Sequence, residues 1–216
     1  MNIFNWHKYN SNLSLINKIV KFNKKNKFNY VESGLYNHVR DLFCISIILT
    51  YFKKNKKKVN VLDFGSNLTP YSNLKNKIKF NNFRISIYDP FYKKKITKKN
   101  NIQIFNEKKL LKKKWDIVNF GSSIQYLDDI NALNDINFKS TLAILITHTP
   151  VSLSKKYIAK QINNKNLFQN IHSFNKIVKF FKIKKFSLEF KSRNENKYIS
   201  AKTKNKTYSV NLLFLK

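Results

Sequence analysis

Glycine and proline are scarce in this sequence, which has three of each among 216 residues. Most of them, including Gly65, Pro90, Gly121 and Pro150, fall where a predicted strand ends. A glycine retained in such a chain is expected to occupy a backbone position that a side chain would obstruct. Since the carboxyl ends of parallel strands are where ligands bind, this pattern predicts a small-molecule site at one edge of a parallel sheet.

The sequence also lacks cysteines and long apolar runs. One cysteine, Cys44, excludes a disulfide framework within the chain and a cysteine-rich metal site, and we predict that it is a core residue. The longest apolar run, Leu42–Phe52, is interrupted by polar residues and is too short to span a bilayer. Met1–Asn10 has no apolar segment typical of a signal peptide, so we expect a cytoplasmic protein without a membrane span.

Acidic residues and arginines are few. The chain has 43 basic and 11 acidic residues, a net charge of +32, yet the arginines are three: Arg40, Arg84 and Arg193. Charge of this sign attracts nucleic acids, but arginine is the residue preferred for bidentate phosphate recognition. The lysines are spread along the whole chain, which favours a solvated surface over a polyanion groove. A nucleic-acid partner is therefore the less favoured interpretation.

The apolar spacing predicts an α/β fold, because short apolar runs alternate with helical segments. Seven strands are predicted, at Val59–Phe64, Phe83–Tyr88, Ile102–Phe105, Trp115–Phe120, Thr141–Thr147, Phe186–Phe190 and Tyr208–Leu215. Helical segments are predicted at 11–29, Tyr36–Lys53, Tyr71–Phe80, Lys108–Lys113, Asp129–Asn134 and Ser173–Phe181. The last two strands lack a helix between them and are expected to pair antiparallel. We expect a helical extension over residues 1–55 and one globular unit over 56–216.

Acidic residues mark the ends of the first two predicted strands. Val61 to Asn67 reads V-L-D-F-G-S-N, which resembles the first motif of S-adenosylmethionine (SAM)-dependent methyltransferases. Such a sequence makes a tight strand-to-helix turn that brings the backbone close to a ligand, with Asp63 beside it. Asp89 ends the second strand about 20 residues further on, where an acid binds ribose hydroxyls in dinucleotide folds. Carboxylates solvated in loops, or a nicotinamide dinucleotide as ligand, are the alternatives.

A longer resemblance involves the later strands. Asp116 to Leu127 reads D-I-V-N-F-G-S-S-I-Q-Y-L, Thr147 to Pro150 reads T-H-T-P, and Val39-Arg40-Asp41 precedes the first strand. Together with V-L-D-F-G-S, these segments resemble a family of methyltransferases found among bacterial surface-polysaccharide gene clusters. The resemblance implies a class I, Rossmann-like fold with a mostly parallel seven-stranded sheet, SAM as cofactor, and a small-molecule or saccharide-linked acceptor.

The resemblance also implies where the cofactor binds. Asp63, Gly65 and Ser66 would border the methionine moiety and Asp89 would hold the ribose. The other implied contacts are Asn106 or Glu107 near the adenine, Ser122 and Ser123 at the fourth strand tip, and Gln125 and Tyr126 facing either cofactor or acceptor. For Tyr126, helix packing is an equal alternative.

Two histidines are candidates for the catalytic base, and no metal site is predicted. His148 ends the fifth strand and therefore lies beside the expected pocket. His172 follows the segment Val151–Ile171, which is expected to be irregular and to cover the site as a lid. The alternative for either histidine is that it has no catalytic role and is either a structural residue or exposed to solvent.

The sequence thus favours a methyltransferase that uses SAM on a small or carbohydrate-linked acceptor. One alternative is an RNA methyltransferase, which the charge favours but no acceptor motif supports. Another is a degenerate, non-catalytic protein of the same fold, which is favoured by Asn67 and Thr69 at positions where glycines are usual.

Overall fold

The computed structural model describes residues 43, 46, 47, 50, 51, 53–55, 57–66, 83–92, 96–99, 102–161, 164–194 and 207–216. The helices predicted over 11–29 and Tyr71–Phe80 lie outside these residues. Within the predicted helix Tyr36–Lys53, the described residues are helical: Phe43, Ser46, Ile47, Thr50, Tyr51 and Lys53.

Ten strands are found in the described part of the chain. They are β1 (Val59–Phe64), β2 (Phe83–Tyr88), β3 (Ile96–Lys99), β4 (Ile102–Phe105), β5 (Ile117–Gly121), β6 (Ala143–Ser152), β7 (Tyr157–Gln161), β8 (Asn164–Ser173), β9 (Ser187–Asn194) and β10 (Thr207–Leu215).

The centre of the sheet is parallel. β4, β2, β1, β5 and β6 lie side by side in that order and run in one direction. β10 pairs antiparallel with β6, β9 pairs antiparallel with β10, and β3 closes the far edge against β4. This arrangement confirms the predicted mostly parallel sheet with a C-terminal antiparallel hairpin. All seven predicted strands are present, and β3, β7 and β8 are additional.

The central strands are apolar on both faces because both faces are covered. Val61 and Leu62 are neighbours in β1, point to opposite faces, and are both fully buried. Leu62 belongs to a core that includes Phe181, whereas Val61 belongs to a second core that includes Phe43 and Ile47. The helical residues before β1 therefore pack directly against the sheet.

The helical segments on the Leu62 face are short. α1 (Phe174–Ile183) buries Ile177, Phe180 and Phe181 on its inner face. Phe180 and Phe181 lie three and four residues after Ile177, the spacing of one helix face. The helical segments predicted around residues 108–113 and 129–134 are 3₁₀ turns at Lys108–Lys112 and Ile130–Asp135. A further 3₁₀ turn, Ile124–Tyr126, follows β5 and lies at the candidate site.

The segment 151–171 differs from the sequence-based expectation of an irregular lid. β6 does not end at Thr147 but continues to Ser152, and Tyr157–Gln161 pairs antiparallel with Asn164–Ser173 to make the β7–β8 hairpin. The pairing of β8 alongside the end of β6 attaches this hairpin to the sheet. The expectation that this segment is irregular was wrong, because its strands are held by pairing with partner strands rather than by a local apolar pattern.

No helix in the described residues is long and apolar enough to cross a membrane.

Candidate functional site

The carboxyl ends of the parallel strands lie at one edge of the sheet. The pairing register places Asp63 of β1 opposite Asn119 of β5, and Gly121 of β5 opposite Thr147 of β6. Asp89 follows β2 directly and its backbone N–H donates to Phe105 O at the end of β4. The predicted site residues at the ends of β1, β2, β4 and β5 are therefore at the same edge, as expected for a parallel sheet, and Thr147 of β6 lies beside them.

Gly65 makes the turn after β1. Its φ is +75°, a left-handed conformation that costs other residues energy, and its N–H donates to Tyr88 O at 2.8 Å. A Cβ atom on Gly65 would lie 2.8 Å from the Cβ of Ser123, which is closer than such atoms approach. The prediction that a side chain would be obstructed here is confirmed. Ser66, the next residue, is half-buried.

The same prediction is wrong for Gly121. A Cβ atom there would lie 3.6 Å from Asn119 Nδ2 and 3.7 Å from Thr147 Oγ1, which are ordinary van der Waals distances. The backbone of Gly121 is not left-handed. Its strand therefore tolerates a side chain at this position.

Asp63 is buried at the end of β1, with 1% of its surface exposed. Asn119 Nδ2 donates to its Oδ1 at 3.0 Å, across the β1–β5 pair. Asn119 was not among the predicted site residues. The available signal was a polar side chain inside the apolar run of β5, because such a residue needs a hydrogen-bond partner when buried.

Asp89 is also buried, with 7% of its surface exposed. Its Oδ1 accepts the N–H of Phe91 at 2.8 Å, so the carboxylate is oriented by its own turn. Asn106, after β4, donates from Nδ2 to Tyr92 O at 2.8 Å and thereby ties the loops after β2 and β4 together. Glu107 forms an ion pair with Lys109.

The segment after β5 crosses the edge next to the Gly65 turn. Ser122 is left-handed, with φ +54°, and its hydroxyl donates to His148 O at 3.3 Å. Ser123 and Gln125 are each 4% exposed. Within the described part of the chain, neither Ser123 Oγ nor Gln125 Oε1 has a hydrogen-bond partner. Buried polar atoms are nearly always paired, so Ser123 Oγ and Gln125 Oε1 are candidates for hydrogen bonds to a ligand.

His148 lies at an irregularity in β6. Thr149 pairs with Val210 but Ile146 pairs with Leu212, so the two residues between them in β6 face the single residue Asn211. His148 has φ +49°, and its N–H donates to Asn211 Oδ1 at 2.9 Å. Asn211 Nδ2 donates in turn to Ser192 Oγ at 3.1 Å, which anchors this bulge to β9.

The His148 ring is half-buried, and burial lowers its pKa. The imidazole is therefore neutral near pH 7, the form that accepts a proton. His148 was predicted to end the fifth strand, which is wrong because β6 continues to Ser152. It follows Thr147, which pairs with Gly121 at the end of β5. Asn211 was not predicted, because its role follows from the register of β10 against β6.

His172 is on β8 and is 1% exposed. Its Nε2 lies 3.0 Å from Leu127 O and 3.2 Å from Ile124 O. Since both partners are carbonyl oxygens, Nε2 carries the hydrogen and Nδ1 keeps the lone pair. Burial, and secondly the charge of Lys156, lowers its pKa. His172 therefore connects the β7–β8 hairpin to the turn that carries Gln125.

Similarity to known proteins was found in structure and not in sequence. No protein-family model matches the chain, and no curated protein matches it. Magnesium protoporphyrin IX methyltransferase from Synechocystis PCC 6803, solved with bound S-adenosylhomocysteine (SAH), is similar over 88% of each chain, with 13% identity and a TM-score of 0.54. A SAM-dependent methyltransferase from Methanosarcina mazei is similar over 74% of this chain and 93% of that one, with 9% identity and a TM-score of 0.51. The chain thus has the Rossmann-like fold of SAM-dependent methyltransferases.

Proposed function

We propose that the protein is a SAM-dependent methyltransferase that binds its cofactor at the carboxyl edge of β1, β2, β4 and β5. The observation that carries this proposal is the Gly65 turn. Its left-handed backbone packs against Ser123 so closely that only glycine fits, with the buried carboxylates of Asp63 and Asp89 on the adjoining strand ends. Fold alone does not establish activity, but this site lies where such folds bind nucleotides.

The residues at this edge fit the chemistry of SAM. The cofactor carries a cationic sulfonium and ammonium, a ribose diol and an adenine, and therefore needs carboxylates and polar atoms that accept hydrogen bonds. Asp63, Gly65 and Ser66 would border the methionine end, and Asp89 the ribose. The remaining proposed contacts are Asn106 at the adenine and Ser122, Ser123 and Gln125 beside the turn. The unpaired Ser123 Oγ and Gln125 Oε1 support this assignment.

SAM, when bound, supplies a methyl group on sulfur that a nucleophile attacks in line. His148 is the candidate base for that nucleophile, because its burial keeps the imidazole neutral at the sheet edge. Asn211 and Ser122 hold the backbone of His148 on either side through its N–H and its carbonyl. His172 is the second candidate, with Nδ1 able to accept a proton while Nε2 stays bonded to the two carbonyls.

We further propose a small-molecule or carbohydrate-linked acceptor. The sequence resemblance to methyltransferases of surface-polysaccharide gene clusters supports it, and the scarcity of arginine disfavours a nucleic-acid acceptor. The acceptor then reaches the cofactor at the ends of β5 and β6.

Replacing Asp89 tests the cofactor site. Asp89→Ala removes the proposed hydrogen bonds to the ribose and should weaken SAH binding by about 1–3 kcal/mol, or about 5–150-fold, in isothermal titration calorimetry. Asp89→Asn keeps an acceptor for the Phe91 N–H, so its turn stays formed while the charge is lost. Glu189→Ala removes an exposed acid on β9 and is the matched control, which should bind like the wild type. Unchanged affinity in both folded Asp89 variants would contradict the assignment.

A further inference from the structure

The β7–β8 hairpin exposes large apolar side chains. Ile158 and Phe168 on its two strands are 46% and 54% exposed, and Leu153, in the bend before β7, is 54% exposed. The register pairs Lys160 with Phe168, so Ile158, Lys160 and Phe168 lie on the same face of the hairpin. Exposed apolar groups gathered on one element mark an interaction surface more often than scattered ones do.

Three lysines lie close in sequence to these apolar side chains. Lys155, Lys156 and Lys160 are exposed, and the Lys160 ammonium lies 5.7 Å from the centre of the Phe168 ring. We call Leu153, Ile158 and Phe168, together with these three lysines, the hairpin patch. No ion pair among the described residues includes a lysine of the patch. Lys156 donates instead to the backbone oxygen of Asp128.

The sequence around the hairpin has no acidic residue. Residues 136–188 contain ten lysines and neither aspartate nor glutamate. The hairpin patch therefore presents apolar side chains among lysines, and the exposed Asp128 lies beside Lys156. A polyanion that binds through phosphates alone would use the lysines but not Leu153, Ile158 and Phe168. A second copy of the same patch would bring like charges together and be repelled.

We infer that the hairpin patch docks the protein on an anionic lipid bilayer. Apolar side chains enter the boundary between headgroups and acyl chains, while lysines are attracted to the negative surface of the lipids. This combination uses both components of the patch, and it requires no helix that crosses the membrane.

The docking surface adjoins the candidate site. Asn170 pairs with Ile158 and lies two residues before His172, so Phe168, Asn170 and His172 share one face of β8. His172 in turn contacts Leu127 O, directly after the 3₁₀ turn Ile124–Tyr126. Docking through the patch would therefore bring the site close to the bilayer. The inference does not depend on methyltransferase activity.

Vesicle flotation tests this inference on the full chain. The vesicles are phosphatidylcholine alone, or phosphatidylcholine mixed with phosphatidylglycerol. The double variant Ile158→Ser/Phe168→Ser keeps every lysine and changes two half-exposed side chains, so it should fold with an unchanged melting temperature. The control Ile183→Ser changes the last residue of α1, whose side chain is 71% exposed and which stands between Lys182 and Lys184 in the sequence.

Wild type and Ile183→Ser should float with the mixed vesicles and not with phosphatidylcholine alone. The double variant should lose about tenfold or more in partition coefficient, because two apolar side chains no longer enter the bilayer. Three results would overturn the inference: no flotation of the wild type, equal flotation of the double variant and the control, or wild-type dimers in size-exclusion chromatography that the double variant lacks. The second would indicate adhesion by charge alone, and the third self-association.

Discussion

At the scale of single residues, two independent constraints require glycine at position 65 of the candidate site. The left-handed φ of Gly65 disfavours any residue with a Cβ, and the neighbouring Ser123 occupies the space that this Cβ would need. The two constraints act together because the segment after β5 packs on the turn after β1. Gly121, two residues before Ser123, carries neither constraint.

The glycine pair gives a matched test. Gly65→Ala should reduce the free energy of unfolding in urea by about 1–3 kcal/mol, from backbone strain and the clash with Ser123. It should also abolish SAH binding, because the turn moves. Gly121→Ala should change stability by less than about 1 kcal/mol, since its new methyl makes ordinary contacts. Equal effects of the two substitutions would show that the Gly65 turn is not closely packed.

At the scale of elements, His172 joins the β7–β8 hairpin to the 3₁₀ turn Ile124–Tyr126. Its Nε2 hydrogen is shared between Ile124 O and Leu127 O, so the hairpin and the turn hold each other in place. Asn211 of β10 likewise joins β6 to β9, because it accepts a hydrogen bond from His148 N–H and donates one to Ser192 Oγ. In both cases a polar side chain, rather than an apolar contact, sets how two elements meet at the site.

The buried state of His172 predicts how stability depends on pH. Its pKa is lowered in the folded protein by burial and by Lys156, against the opposing influence of the Leu127 and Ile124 carbonyls and of Asp129. In the unfolded chain its pKa is about 6.5. As the pH falls from about 7 to about 5, the unfolded chain takes up a proton that the folded chain does not, so stability decreases. The loss begins near the unfolded pKa and ends near the lower, folded one.

Urea unfolding at several pH values measures this effect. His172→Gln can keep a donor toward Leu127 O but does not titrate, so its stability should fall less than that of the wild type over the same interval. Some pH dependence should remain, because the pKa of His148 is also lowered by burial. The Asp129 carboxylate, whose pKa is lowered chiefly by the hydrogen bond from Lys176, titrates at more acidic pH. A slope in His172→Gln equal to that of the wild type would refute this role for the buried ring.

At the scale of the whole molecule, seven of the ten described strands and the edge that carries the candidate site were predictable from sequence. Val59–Phe64 and Phe83–Tyr88 match their predicted bounds, because each is an apolar run followed by a turn residue. The β7–β8 hairpin was not predictable, since its residues are polar or mixed and are held by pairing with other strands. Asn119 and Asn211 were missed for a related reason, because their partners are fixed by strand register.

The net charge of +32 sets how the whole molecule responds to salt. Like charges repel in the compact state, and this repulsion is screened as the Debye length falls from about 30 Å at 0.01 M to about 8 Å at 0.15 M ionic strength. The melting temperature should therefore rise over this interval. NaCl and KCl should raise it equally, since screening does not depend on the ion. A melting temperature that falls with salt would mean that attractive ion pairs outweigh the repulsion.

Calorimetric titration of the wild-type protein with SAM, SAH and NAD is the most direct test of the proposed cofactor site. We predict micromolar binding of SAM and SAH with one site per chain. We predict no binding of NAD, because Asn67 and Thr69 stand where a dinucleotide-binding turn has its later glycines. A folded sample that releases no heat with SAM or SAH would contradict the proposed cofactor site. The degenerate, non-catalytic alternative would then describe the protein better.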